Sequence, residues 1–167
     1  NGAFNQRQCL FGNVGRHAAR YLGEMGARLV AASDSTGAIY NPEGIDVEEL
    51  SRVKAESGSV TAFRAAKAIS QTELLTVACD ILIPAARPDC IHADNAKQIQ
   101  ARLILQGANI PATVDAESIL HERGVLNVPD FIANAGGVIC AAVEYHDGSE
   151  SDAFEQIAAK IRRDTEE

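Results

Sequence analysis

Several features that announce a function are missing from this 167-residue chain. It has no tryptophan, three tyrosines and five phenylalanines, so its core must be built mainly from aliphatic side chains. No apolar run approaches the ~20 residues that would cross a bilayer. The first residues carry no basic-then-apolar secretion signal. The four cysteines, Cys9, Cys79, Cys90 and Cys140, include no C-x-x-C pair and lie mostly in apolar segments. That argues against a disulfide framework or a metal centre and reads as small core residues of a reduced, cytoplasmic protein. The histidines, at 17, 92, 121 and 146, are equally dispersed, with no H-E-x-x-H spacing, so no metal is expected. Basic clusters are also lacking: apart from Arg162-Arg163 the Lys and Arg residues are scattered, and the net charge is −8. A nucleic-acid surface would need the opposite. The length fits a single domain spanning 1–167, and the absence of an initiating methionine suggests a piece of a longer protein.

What is present begins with Leu10-Phe11-Gly12-Asn13-Val14-Gly15, followed 19 positions after Gly15 by Asp34. This is the outline of a dinucleotide-binding βαβ unit. One glycine turns the chain so that a pyrophosphate can lie against the amides opening a helix, and a second lets that helix pack close to the sheet. A downstream carboxylate then takes a ribose hydroxyl. Leu10 stands where the pattern has its first glycine, and a positive φ there would be strained by ~1–2 kcal/mol. The strand that must precede the turn, Gln6 to Phe11, is polar for a position buried on both faces. Downstream, Asn13 caps a helix running to about Met25, with Val14, Ala18, Tyr21, Leu22 and Met25 as its apolar stripe. Gly26 ends it, and Leu29-Val30-Ala31-Ala32 is a short strand delivering Asp34 at its carboxyl end.

The rest of the chain alternates in the same way. A polar turn, Ser35-Thr36-Gly37, precedes Ala38-Ile39-Tyr40 and the breaker Asn41-Pro42-Glu43-Gly44. Asp46 and Glu49 have capping-box spacing and open a helix to about Glu56; Ser70 and Glu73 repeat the box. Asp80 to Pro84 and Arg102 to Leu105 read as buried strands, and Asp94 starts a helix between them. A helix over Ala116 to Arg123 leads to the strand Val125 to Val128. Asn134-Ala135-Gly136-Gly137 introduces a helix carrying Val138, Ile139, Ala142 and Val143, and a last amphipathic helix runs from about Ser151 to Thr165, within a C-terminal segment 146–167. Strands alternating with helices imply an α/β fold: a doubly wound, Rossmann-like parallel sheet with helices on both faces. Ligands of such sheets bind outside the carboxyl ends of the strands.

Five segments, F-G-N-V-G, S-D-S-T-G, D-I-L-I-P-A-A, Q-G-A-N-I-P-A-T and P-D-F-I-A-N-A-G-G-V, occur in that order between Phe11 and Val138. Together they resemble the coenzyme-binding, C-terminal domain of the glutamate/leucine/phenylalanine/valine dehydrogenase family, and the G-A-N-x-P-x-T form is most similar to glutamate dehydrogenases. The resemblance implies that Gly12, Asn13, Val14 and Gly15 hold the pyrophosphate of NAD (or NADP), with Asp34 and Ser35 at the adenosine ribose. Ala85 and Ala86 would line the nicotinamide side, Asn109 its ribose and Asn134 its carboxamide. Gly136, Gly137, Val138 and Ala141 would face an L-amino-acid substrate. Such enzymes transfer a hydride from the amino acid to the nicotinamide and hydrolyse the imine to a 2-oxo acid and ammonia. The lysine and aspartate that move protons lie in an N-terminal domain, so no catalytic residue is expected in this chain, and the fragment alone should be inactive. The family's enzymes assemble largely through that other half: the parent protein is expected to be a homo-oligomer and this piece a monomer. Ala141 stands where glutamate enzymes usually place a serine and Asp89 where the family often has asparagine, which leaves the amino acid open.

Residue by residue, structural roles stand beside these functional ones. Gly12 and Gly15 also suit a strand–helix turn without a ligand. Asp34 could cap a turn with Ser35 and Thr36, and Asn109 and Asn134 could bond their own backbones. Gly136-Gly137 could simply start a helix, and Arg87 could sit in solvent or sense a phosphate. The charge of Asp34 favours NAD, because it would repel a 2′-phosphate. Two functions follow: the coenzyme domain of an amino-acid dehydrogenase, or a degenerate, non-catalytic nucleotide-binding module.

Overall fold

The computed structural model describes residues 4–8, 11–147 and 159. Cys9, Leu10 and nearly all of the expected C-terminal helix lie outside the described residues. The chain forms an α/β fold around a seven-stranded, mostly parallel sheet of Rossmann-like topology, in the order β4-β3-β2-β1-β5-β6-β7. The strands are β1 (Asn5–Gln8), β2 (Arg28–Ser33), β3 (Ala38–Tyr40), β4 (Lys67–Ile69), β5 (Ile81–Ile83), β6 (Leu103–Leu105) and β7 (Leu126–Val128). β1 pairs in parallel with both β2 and β5, and β6 and β7 continue the parallel half. On the other flank β3 and β4 are antiparallel. The reason is the tight turn at Asp34 to Gly37, closed by the Asp34 amide on the Gly37 carbonyl. It folds β3 straight back on β2 and leaves no room for a crossover helix. β4, which the apolar pattern does not reveal, then restores the original direction.

Side chains alternate across each strand, so neighbouring residues enter different cores. Ala31 and Ala38 join one buried cluster with Leu74, Leu82, Ile91, Ile104 and Leu120. Ala32 and Ile39 join another with Phe11, Ala19, Leu29 and Leu50. Helices therefore cover both faces. They are α1 (Asn13–Glu24), α2 (Val47–Ser57), α3 (Gln71–Thr76), α4 (Ala93–Ala96), α5 (Val114–Glu122), α6 (Asp130–Ala133) and α7 (Gly136–Asp147). Their starts follow ordinary capping chemistry: Asp46 accepts from the Glu49 amide, Ser70 and Glu73 form a reciprocal box, and Thr113 accepts from the Ala116 amide.

α1 departs from its expected form in two respects. Gly12, not Asn13, is its cap residue. Its buried face is Gly15 and Ala19, while Val14, Tyr21 and Met25 of the expected stripe are 53%, 45% and 83% exposed. Small residues win the inward face because the helix lies close to β1. Buried Gln6 reaches across that short gap, donating its side-chain amide to the Ala19 carbonyl at 3.0 Å. At Gln6 polarity is thus reconciled with burial by a partner for the side-chain amide.

Candidate functional site

The chain runs from β1 through α1 to β2 on one side, then returns to place β5 on the other side of β1. The crevice outside the carboxyl ends of β1 and β5 is the switch point of this sheet. The first helical hydrogen bond of α1 runs from the Arg16 amide to the Gly12 carbonyl. The amides of Asn13, Val14 and Gly15 precede it, and α1 has neither a side-chain cap nor an acidic residue in its first turn. These donors face the crevice end of the helix, where the backbone dipoles favour an anion. Phe11 is buried and holds the turn in place, its amide on the Ser33 carbonyl at 2.6 Å and its carbonyl accepting from Lys54 at 2.5 Å.

Gly107, just beyond β6, joins three segments. A Cβ there would lie 3.2 Å from Ala85, 3.3 Å from Ile83 and 3.5 Å from Val14. The glycine turn, the β5 loop and the β6 loop therefore meet around a position that only a bare backbone fits comfortably. Farther along this edge, Asn134 donates its side-chain amide to Asn109 Oδ1 at 2.9 Å. Neither asparagine is a solitary turn-former: the two side chains are tied across the loops that follow β6 and β7. Ala86 is exposed and Ala85 half-buried. Gly136 is half-buried, and Gly137, Val138 and Ala141 are exposed on α7. A cavity of about 490 Å³ opens beside Ala86, lined by Ser33, Gln71, Leu75, Arg87 and Cys90 among others. Burial pushes the Cys90 thiol above its ordinary range, which keeps it neutral and unreactive.

Asp34 is turned inward. It is 4% exposed. Oδ1 accepts from the Thr36 amide at 2.9 Å and the Thr36 hydroxyl at 2.6 Å; Oδ2 accepts from the Val60 amide at 2.7 Å and lies 3.7 Å from the Lys54 ammonium. Burial alone would raise its pKa, but the Thr36 hydroxyl, the Val60 and Thr36 amides and Lys54 outweigh it and hold the carboxyl below its ordinary value. The turn-capping role is thus the one this geometry displays, while Ser35 beside it stays exposed. Gln71 completes the corner by donating to the Asp34 carbonyl at 2.9 Å.

A family model described as Glutamate/Leucine/Phenylalanine/Valine dehydrogenase matches residues 8–167. The chain belongs to this dehydrogenase family. It is 51% identical over 135 residues to the glutamate dehydrogenase of Aeropyrum pernix, covering 81% of this chain and 32% of that one. A relative from Saccharolobus shibatae named NADP-specific glutamate dehydrogenase is 45% identical, covering 81% and 32%. One from Bacillus subtilis named catabolic NAD-specific glutamate dehydrogenase is 41% identical, covering 91% and 36%. Among solved structures, the hetero-hexameric glutamate dehydrogenase of Thermus thermophilus in its leucine-bound form matches with a TM-score of 0.85 at 28% identity, over 96% of this chain and 39% of that one. The chain thus spans about a third of the length of the curated relatives it matches.

Within this family frame, several structurally active residues escape a motif-based reading. Lys54 sits in the last turn of α2, Gln71 opens α3 and Glu117 lies in α5, while Gln106 and Asp130 fall inside two of the five segments without a role of their own there. Only Thr36 carried a local signal, the two-residue spacing from Asp34 typical of an Asx turn.

Proposed function

We propose that this chain is the coenzyme-binding part of an amino-acid dehydrogenase of the glutamate type, and that it binds a nicotinamide dinucleotide along the carboxyl edge of its sheet. The observation that carries this reading is the uncapped start of α1 at the switch point, beside the bare backbone of Gly107. Three amides there lack a helical acceptor, and Gly107 lets the loops after β5 and β6 close up against Val14 beside them. Gly12, Asn13, Val14 and Gly15 would hold the pyrophosphate. Ser35 and the cavity beside Ser33 and Gln71 would take the adenosine end, and Ala85, Ala86, Asn109 and Asn134 the nicotinamide end. When bound, the nicotinamide supplies the hydride acceptor for oxidation of the amino acid to a 2-oxo acid and ammonia. The residues of this chain orient that ring; Gly136, Gly137, Val138 and Ala141 would border the amino acid itself. Proton transfer is left to a substrate domain elsewhere in a longer, oligomeric parent.

The charge of Asp34 gives NAD little advantage, because the carboxylate is buried and paired with Lys54. A 2′-phosphate near Ser35 would meet a largely neutralised group. The chain should therefore accept both coenzymes, with dissociation constants within about tenfold of one another, a difference of under ~1.4 kcal/mol. Calorimetric titration with NAD and NADP, alongside a turnover assay with L-glutamate, tests the whole reading. Binding of both coenzymes without turnover is expected. Absence of binding would favour the non-catalytic alternative, and oxidation of glutamate by this chain alone would overturn the division of labour.

A further inference from the structure

Two non-glycine residues have positive φ among the described residues, Asp89 at 52° and Ile110 at 46°, and they are bonded to each other. The Asp89 amide donates to the Ile110 carbonyl at 3.0 Å. On its other side the Ile110 amide donates to Asp130 Oδ2 at 2.8 Å, while Asp130 Oδ1 accepts from the Phe131 amide at 2.7 Å. A β-branched residue in the left-handed region is a conformational outlier that persists only when its surroundings enforce it. Here the enforcement comes from both neighbours at once. Asp89 belongs to the loop after β5, Ile110 to the loop after β6, and Asp130 opens α6 after β7.

Asp130 is itself held from the interior. The Gln106 carboxamide oxygen accepts the Asp130 amide at 3.2 Å, and its nitrogen donates to Glu117 Oε1 at 2.7 Å and Asn127 Oδ1 at 3.2 Å. Asn127 donates in turn to the same Glu117 oxygen at 3.2 Å. Gln106 is 2% exposed, so this network is fixed by packing as well as by hydrogen bonds. The ordered line Glu117–Gln106–Asp130–Ile110–Asp89 therefore stitches together three loops, which also carry Ala85, Asn109 and Asn134. The Asn109 side chain is next in sequence to Ile110, and the Asn134 amide donates to the Asp130 carbonyl at 2.8 Å.

We infer that Asp130 is a positioning residue for the nicotinamide half of the coenzyme: through Ile110 and Asp89 it clamps three loops so that Asn109 and Asn134 are already paired before the ring arrives. This rests on the dinucleotide reading above and goes beyond it by assigning a role to a residue that would not touch the ligand. Preorganisation of this kind improves affinity by removing the ordering cost at binding, and only for the part of the ligand that meets the clamped loops.

The test compares the chain with Asp130→Ala and Asp130→Asn, titrating each with NADH and with ADP-ribose, which lacks the nicotinamide. Asp130→Ala should weaken NADH about tenfold, the scale of one charge-assisted hydrogen bond, and leave ADP-ribose within about twofold. Asp130→Asn keeps one acceptor and should fall between. Amide hydrogen exchange supplies a second readout on the milder variant: the Asp89 amide, which does not touch Asp130, should exchange faster in Asp130→Asn. Equal weakening of both ligands, or an Asp89 amide unchanged in Asp130→Asn, would reduce Asp130 to a structural residue and overturn the clamp. If the unaltered chain binds neither ligand, the dinucleotide reading itself fails and the clamp loses its purpose, an outcome distinct from unselective loss in the variants.

Discussion

At the end of β2 a carboxylate is drawn into the protein, whereas at the ends of β6 and β7 two carboxamides stay near the surface and bind one another. Asp34 gives its oxygens to Thr36, Val60 and Lys54; Asn109 and Asn134 are joined by one 2.9 Å hydrogen bond and remain partly or fully exposed. The two flanks differ because their backbones differ. The β2–β3 connection is a turn of four residues that needs its own internal acceptor. The parallel flank has helices between its strands, so its turns are organised by neighbouring loops and their tip residues are left at the surface. A polar residue at a strand end is thus available to a ligand in proportion to how little its own turn demands of it.

The comparison can be broken most forcefully at Asp34. Replacing it with alanine strands the Val60 amide and leaves the Lys54 ammonium with only the Phe11 carbonyl, and should cost about 2–3 kcal/mol. For a chain of this size that lowers the melting temperature by roughly 5–10 °C. Because the folded pKa of Asp34 lies below its ordinary value of 3.8, its contribution is present above that value and is lost as pH falls through the folded pKa. Unfolding curves of the chain and the variant should converge in acid and separate towards neutrality. A variant as stable as the parent at pH 7 would mean that the corner holds without its acceptor.

On the parallel flank the largest effect belongs to Gly107. A valine there meets Ala85, Ile83 and Val14, and overpacking of this order costs about 1–3 kcal/mol. It should also weaken both coenzymes, since the β5 and β6 loops must part to admit it. Unchanged stability and binding would show that the three segments do not converge as described. A smaller change of opposite sign is expected at Ile110. Asparagine tolerates left-handed φ far better than a β-branched residue, and the isoleucine side chain is 65% exposed. Ile110→Asn should therefore stabilise the fold by about 1 kcal/mol, measured by denaturant titration; destabilisation would indicate that the side chain packs in solution.

Much of this was legible before the structure. The helix starts at Asp46 and Ser70 and the buried strands at Ile81 and Leu103 follow from short-range chemistry, although only Ser70 completes its capping box. The five ordered segments carried the family resemblance, and together these pointed to the doubly wound sheet. What was not legible depends on partners distant in sequence. Lys54 lies 20 positions after Asp34 and the Val60 amide 26 positions after it, and nothing local betrays that they converge on one carboxylate. β4 is too short and too exposed to show a pattern, and the inward face of α1 follows the closeness of β1 rather than the apolar stripe. The strain at Ile110 is invisible in a sequence, where isoleucine before proline reads as ordinary extended chain.

The central claim is that the carboxyl edge around Gly12, Gly15 and Gly107 accepts a nicotinamide dinucleotide. A fluorescence titration of the chain with NADH, followed by displacement with ADP-ribose, addresses it most directly. The account predicts saturable binding of one NADH per chain, released by ADP-ribose in competition. NADH emission that stays unchanged on adding the chain, with no effect of ADP-ribose, would contradict it.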